Sequence, residues 1–311
     1  MNQFKLSLGD LIALLTAIAF GFVCFLSSNF FTLGNFNQSI ILSVVIALLL
    51  SATALGTKLL KRTKSNFKTY FIWEMILLVL FTGLMALFAY SPFPHFFVVG
   101  GQKEEIQSKL SASILQAENM FSAYEQYAET RKSLYNSTLK SVVNAKNTNP
   151  SEYAAYGFQN SGVPDNIQIR NKMFAINADL FPSNYREMKK ADSTWLANAR
   201  NIVTSWKPIG IVNVVKEVEQ NSKSWLADLV EFSTKTERRE EAQNFTYNLS
   251  FDNVKTHFTT LGKPTPLSIV LAIVAYLLML LSYLVIPRDF RSPIGKSRPR
   301  RNGKYDINLK N

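Results

Sequence analysis

Long apolar runs alternate with polar stretches along this chain, and they predict where it crosses a membrane. Residues 11–57 and 264–287 carry no charged side chain, and residues 69–102 carry one, Glu74. A helix of about 20 apolar residues, rising about 1.5 Å per residue, spans a hydrocarbon core of about 30 Å. The runs therefore predict four transmembrane helices, at about 11–31, 39–57, 70–90 and 266–287.

The stretch between the third and fourth predicted spans, 96–265, has a helical pattern of its own. Apolar residues recur there at steps of three and four, the spacing of one face of a helix. Three stripes result: Ile106, Leu110, Ile114, Ala117, Phe121, Tyr124 and Ala128; Tyr185, Met188, Ala191, Trp195, Ala199, Ile202 and Trp206; Ile211, Val215, Val218, Ser222, Trp225, Leu229 and Phe232. Such faces pack on one another. The chain is thus predicted to be an all-α membrane protein with an inserted, mainly helical domain whose core includes Trp195, Trp206 and Trp225.

Three local patterns refine the inserted domain. Asn184 and Glu187, after Pro182, have the spacing of a capping box and predict a helix start. Residues 147–170 are polar and interrupted by Gly and Pro, which predicts a long loop. Residues 244–251 alternate apolar and polar positions, which predicts a short strand.

The net charge of +12 is distributed unevenly and predicts orientation. The stretch 96–263 holds 20 Lys and Arg against 18 Asp and Glu, whereas 58–68 holds five bases and no acid and 288–311 holds eight bases and two acids. A nucleic-acid-binding protein more often has its basic surface on a folded domain, so no nucleic-acid partner is expected. Lys and Arg beside spans stay in the cytoplasm. The basic loop, the basic tail and both termini are therefore predicted inside, and the 96–265 domain outside the cytoplasm.

These bases are also candidate contact residues. They are expected to touch anionic lipid head groups or a cytoplasmic partner, the alternative being a topology signal alone. The set comprises Lys58, Lys61, Arg62, Lys64 and Lys68 of the loop and Arg298, Arg300 and Arg301 of the tail.

Glu74 is the one ionisable residue well inside a predicted span. Carboxylates within a membrane often serve proton or ion pathways. Glu74 is only one turn past Tyr70, however, so Lys68 or another base of the loop is within reach for a structural ion pair. The sequence leaves both interpretations open.

The motifs of catalytic and cofactor sites are missing from the sequence. His95 and His257 do not have a metal-ligand spacing such as HExxH, there is no GxxxxGK[ST] or GxSxG, and the single cysteine, Cys24, lies in the first span. We therefore predict no enzyme activity, no catalytic or metal-binding residues and no cofactor.

The layout resembles the TssN family, the polytopic inner-membrane subunit of the type VI secretion membrane complex in Bacteroidota. The likeness covers two close spans, a basic loop, a third span with IWEMILLVLFTGLMALF, a helical domain containing SWLADLVEFSTKTE, and a last span with a basic end. The resemblance implies a bacterial inner-membrane scaffold that assembles, as an oligomer, with other envelope subunits and anchors a secretion machine. The alternative is a transporter or channel accessory subunit that uses Glu74.

Overall fold

The computed structural model describes residues 7–62, 67–160, 162–234 and 243–286, without the side chains of residues 67 and 68. All regular secondary structure in these residues is helical, as the sequence predicted. The helices are α1 (Leu8–Phe31), α2 (Phe36–Arg62), α3 (Phe67–Tyr90), α4 (His95–Gly101), α5 (Lys103–Asn144), α6 (Pro150–Ala155), α7 (Asp165–Leu180), α8 (Tyr185–Thr204), α9 (Pro208–Thr234), α10 (Lys255–Thr259), α11 (Pro266–Met279) and α12 (Leu281–Val285).

The chain divides into two compact units. One is Gln102–Thr259, which we call the inserted unit, and the other consists of the residues on either side of it, which we call the apolar unit.

Three helical stretches of the apolar unit are long and apolar enough to cross a membrane: Leu8–Phe31, Phe36–Arg62 and Thr69–Gly101. Large apolar side chains cover their outward faces; Ile41, for example, is 64% exposed and Val79 is 68% exposed. Contiguous apolar surface of this kind is rare on monomeric soluble proteins. The chain thus has the character of a membrane protein.

The fourth predicted span is shorter and interrupted. Thr265 caps α11, its side chain accepting a hydrogen bond from the Ser268 N–H, and Pro266 fits the first turn because it has no N–H to leave unpaired. α11 ends at Met279, and after Leu280 the short α12 continues to Val285.

Helices of the apolar unit approach closely where small residues allow it. A Cβ added at Gly56 of α2 would meet Leu77 Cδ1 of α3 at 3.0 Å, so glycine at this position lets the two helices approach closely. The helices enclose a core of side chains from α1, α2, α3 and α11, which includes Phe20, Ile46, Phe81 and Ala272.

The inserted unit packs around the 42-residue helix α5. All seven residues of the first predicted stripe are buried on α5, and all seven of the third are buried on α9. Tyr124 is at the centre; its hydroxyl donates to the Leu180 carbonyl at 2.7 Å, and its ring contacts those of Phe181, Tyr185 and Phe245.

The stripe predicted for α8 is displaced by about one residue. The buried residues of this helix are Tyr185, Leu196, Ala199 and Val203, whereas Ala191 is exposed. The helix does begin after Asn184, but the Asn184 side chain makes no capping hydrogen bond, so the predicted capping box is wrong. Asn184 has helical φ and ψ angles, whereas a capping residue normally has extended ones.

Two further local predictions are wrong. Residues 147–170 contain α6 and the start of α7 instead of a single long loop; Asn149 caps α6 by accepting from the Glu152 N–H. The segment 243–254 has no regular secondary structure and is not part of a sheet. It lies along α5, where side chains bind its backbone: Tyr127 donates to the Gln243 carbonyl and Gln116 to that of Asn248.

Candidate functional site

A buried ion pair joins the beginning of α1 to the end of α2. The Lys58 ammonium contacts Asp10 Oδ2, and the two side chains are 4% and 1% exposed. Ser7 donates to the same oxygen through its backbone N–H at 2.8 Å and its hydroxyl at 2.9 Å. Asp10 Oδ1 is buried and has no hydrogen-bond partner in the described part of the chain. Two opposite charges are therefore held away from water at one end of the helix pair.

The last helix meets this ion pair. Ser282 Oγ of α12 is 3.1 Å from Ser7 Oγ. Gly9 permits the approach, because a Cβ at that position would lie 2.5 Å from Ser282 Oγ and 3.3 Å from Ser282 Cα. Any larger residue at position 9 would push α12 away from α1.

Glu74 belongs to a second polar contact at the end of α12. Its side chain is buried and accepts a hydrogen bond from the Tyr283 hydroxyl at 2.8 Å. Lys61 of α2 donates to the Tyr283 carbonyl at 2.6 Å, and its ammonium lies 4.3 Å from the centre of the Tyr283 ring. Tyr283 thus connects α2 and α3. The suggested pairing of Glu74 with Lys68 concerns a side chain outside the described residues.

The predicted basic contact residues do not form one group. Lys58 departs from the expected role because it is buried against Asp10, and Lys61 is half-buried on Tyr283. Arg62 is exposed at the end of α2. The others lie outside the described structure: Lys64, Arg298, Arg300, Arg301 and the side chain of Lys68.

Together, the two contacts form a polar cluster, which consists of Ser7, Asp10, Lys58, Lys61, Glu74, Ser282 and Tyr283. Its hydrogen bonds and ion pair connect α12 to α1, α2 and α3. This arrangement holds helices together through paired charges. Across the described residues, no group of three or more His, Cys, Asp or Glu side chains is placed to hold a metal ion.

The three tryptophans predicted for the core of the inserted unit differ in burial. Trp225 of α9 is buried, with its ring centre 5.8 Å from those of both Phe121 and Trp195. Trp195 is half-buried at the edge of this group. Trp206 is half-buried beyond the end of α8, with a left-handed φ of 47°.

Asp192 is a half-buried carboxylate that the sequence analysis did not single out. It is on α8 beside the indole of Trp225, and its Oδ2 atom is buried without a hydrogen-bond partner among the described residues. Burial, and secondarily the like charge of Asp228 on α9, raise the pKa of Asp192 to about 6. The sequence did contain a sign of this burial, because position 192 lies on the same face of α8 as the buried residues Tyr185 and Leu196.

We expect Asp192→Asn to stabilise the inserted unit at neutral pH. A raised pKa in the folded state means that the folded chain binds the proton more tightly, so this carboxylate lowers stability progressively as pH rises from about 4 to about 6. Because the group is only half-buried, we expect the substitution to raise the free energy of unfolding by about 1–2 kcal/mol at about pH 7.5. At about pH 4 the increase should be close to zero.

Thermal unfolding of the full-length protein at the two pH values measures this difference. Asp252→Asn, which removes an exposed carboxylate from the same unit, is the matched control. An equal gain at both pH values would show that the titration of Asp192 is not the cause.

No protein-family model, curated protein or solved structure matches this chain.

Proposed function

We propose that this protein is a structural scaffold subunit of a multiprotein complex in a bacterial inner membrane. The complex resembles the one that anchors a type VI secretion machine, as the likeness to the TssN family implies. In this proposal the protein is not an enzyme. It binds other envelope subunits through the inserted unit, and cytoplasmic components or lipid through its basic loop and tail.

The proposed arrangement has four membrane spans. The first three are α1, α2 and α3, and the fourth combines α11 and α12, which together cover Pro266–Val285. The bases at the end of α2 and after α12 favour a cytoplasmic location for these ends. The inserted unit, nearly neutral in charge, is then outside the cytoplasm, where its membrane attachments on both sides keep it near the bilayer.

The observation that carries the proposal is the separation of the chain into two units of different character. Gln102–Thr259 has its own buried core, and apolar helices precede and follow it. A domain attached to a membrane at both ends meets its partners at a high effective concentration. Within the apolar unit, the polar groups of the cluster are engaged with one another, which supports a role in helix packing.

Glu74 is also the basis of the alternative function, a transporter or channel accessory subunit. Its hydrogen bond with Tyr283 supports the scaffold instead, because that bond explains the carboxylate as a contact between α3 and α12.

Purification of the full-length protein in mild detergent tests the scaffold proposal. Defined envelope proteins should be retained with it in fixed proportions, and a protein that consistently purifies alone would refute the scaffold.

The topology has a separate test. Cys24 is the only cysteine, so replacing it with alanine gives a background for single-cysteine labelling with a membrane-impermeant reagent. We expect labelling of intact cells at Lys223→Cys, an exposed position on α9, and none at Lys64→Cys or Lys304→Cys unless the membrane is opened. If position 223 is not labelled in intact cells, the inserted unit lies on the cytoplasmic side and the proposed topology is wrong.

A further inference from the structure

The inserted unit has an open cleft with an unbalanced charge. Its volume is about 770 Å³, and its walls come from α5, the end of α7 and the first turns of α8. A volume of this size is typical of ligand pockets, which measure about 300–1,000 Å³. The cleft is therefore large enough for several side chains of a bound molecule.

Both carboxylates in the cleft already have cationic partners. Glu125 accepts hydrogen bonds from the Lys189 ammonium at 2.5 Å and the Tyr185 hydroxyl at 3.1 Å. Glu129 accepts from the Lys132 ammonium at 2.6 Å. These two pairs are neutral overall, and they fix the lysines in place.

Two other cations line the same cleft without such partners. Arg186 and Lys190 are exposed, one turn apart on α8, and neither makes an ion pair within the described part of the chain. Phe181 and Pro182, both half-buried, provide apolar surface in the same cleft. The cleft thus offers two unpaired positive charges next to a surface that can contact an apolar side chain.

We propose that this cleft binds an acidic peptide segment of a partner protein. Carboxylates of the segment pair with Arg186 and Lys190, and an apolar side chain packs near Phe181. The inference rests on the proposed scaffold function, and it identifies one docking site on the inserted unit. The apolar surface of Phe181 and Pro182 in the same cleft favours a peptide, which brings an apolar side chain together with its carboxylates, over inorganic phosphate or a nucleic-acid backbone, which have no such side chain.

The test uses the full-length protein in detergent and a labelled oligoglutamate peptide that contains one phenylalanine. Its twin has glutamine in place of glutamate, and fluorescence anisotropy measures both affinities. We expect the wild type to bind the acidic peptide, more weakly as salt is added, and to bind the glutamine twin far less. The double variant Arg186→Glu/Lys190→Glu should weaken acidic-peptide binding at least about tenfold, since two charge-assisted contacts become repulsive.

The matched control is Arg170→Glu/Lys216→Glu, which reverses two exposed charges of the same unit outside the cleft. It should bind like the wild type. Absence of binding to the acidic peptide, equal binding of the glutamine twin, or an equal loss in the control would each overturn the inference. Binding of inorganic phosphate or anionic vesicles in place of the peptide would overturn it too.

The outcome is separable from that of the scaffold proposal. If the Arg186→Glu/Lys190→Glu variant still retains every partner protein on purification and binds the acidic peptide normally, the cleft is not the docking site, while the scaffold stands. If the wild type purifies without partners, the scaffold fails whatever the peptide measurement gives.

Discussion

Lys58→Met should destabilise the apolar unit by about 3–5 kcal/mol, because it leaves the Asp10 carboxylate buried and without its cation. Both side chains are almost fully inaccessible, so water cannot replace the lost ammonium. The same helix ends also contact Ser282 of α12 through Ser7. We therefore expect the last helix to be released first, with protease sensitivity appearing around α12.

The double variant Asp10→Leu/Lys58→Met makes this prediction specific to the ion pair. Replacing both charges with apolar side chains removes the desolvation cost along with the attraction, so the double variant should be more stable than Lys58→Met alone. Arg62→Met, which removes an exposed base from the same helix end, should change stability little. Unfolding of the detergent-solubilised protein provides the four free energies of the cycle, for the wild type, Asp10→Leu, Lys58→Met and the double variant, and additive effects of the two single changes would contradict a buried, interacting pair.

The helical character of the chain was predictable because it depends on long, regular patterns. The stripes of α5 and α9 repeat over about two dozen residues each, so small errors at single positions do not change the face that is buried. The stripe of α8 was misplaced because it was drawn through Trp195 and Trp206. Trp206 lies beyond the last turn, while the buried Leu196 and Val203 define the true face.

The ion pair between Asp10 and Lys58 escaped prediction because the two residues flank the apolar runs. Asp10 precedes the first run and Lys58 follows the second, so both looked like ordinary ends of spans. Two consecutive helices joined by a short turn run in opposite directions, which brings the start of one beside the end of the next. A search for opposite charges at matching ends of neighbouring spans would have found the pair.

The irregular segment 243–254 shows a different limit of prediction from sequence. Its alternation of apolar and polar residues reports that one side is buried, and Phe245 is indeed buried on Tyr124. A strand also needs a neighbouring strand to bind its backbone groups. In this protein, side chains of α5 and Ser233 of α9 bind them instead.

Replacing residues 102–259 with a flexible linker should abolish the function while the apolar unit still inserts. The inserted unit is the proposed site of partner binding, so every envelope partner held by it should be lost. The whole unit is replaced because removing part of α9, such as 211–232, would also expose the core formed by Trp225, Leu229 and Phe232. Glu74→Gln is the complementary variant, since glutamine still accepts the hydrogen bond of Tyr283 but carries no charge.

The most direct test of the scaffold proposal is to compare partner retention for these two variants and the wild type, after membrane fractionation has shown equal insertion. We expect Glu74→Gln to retain the same partner proteins as the wild type and to support contact-dependent killing of competitor cells. The linker variant should retain none of those partners and support no killing. Activity lost with Glu74→Gln and kept without residues 102–259 would contradict the scaffold and favour an ion pathway.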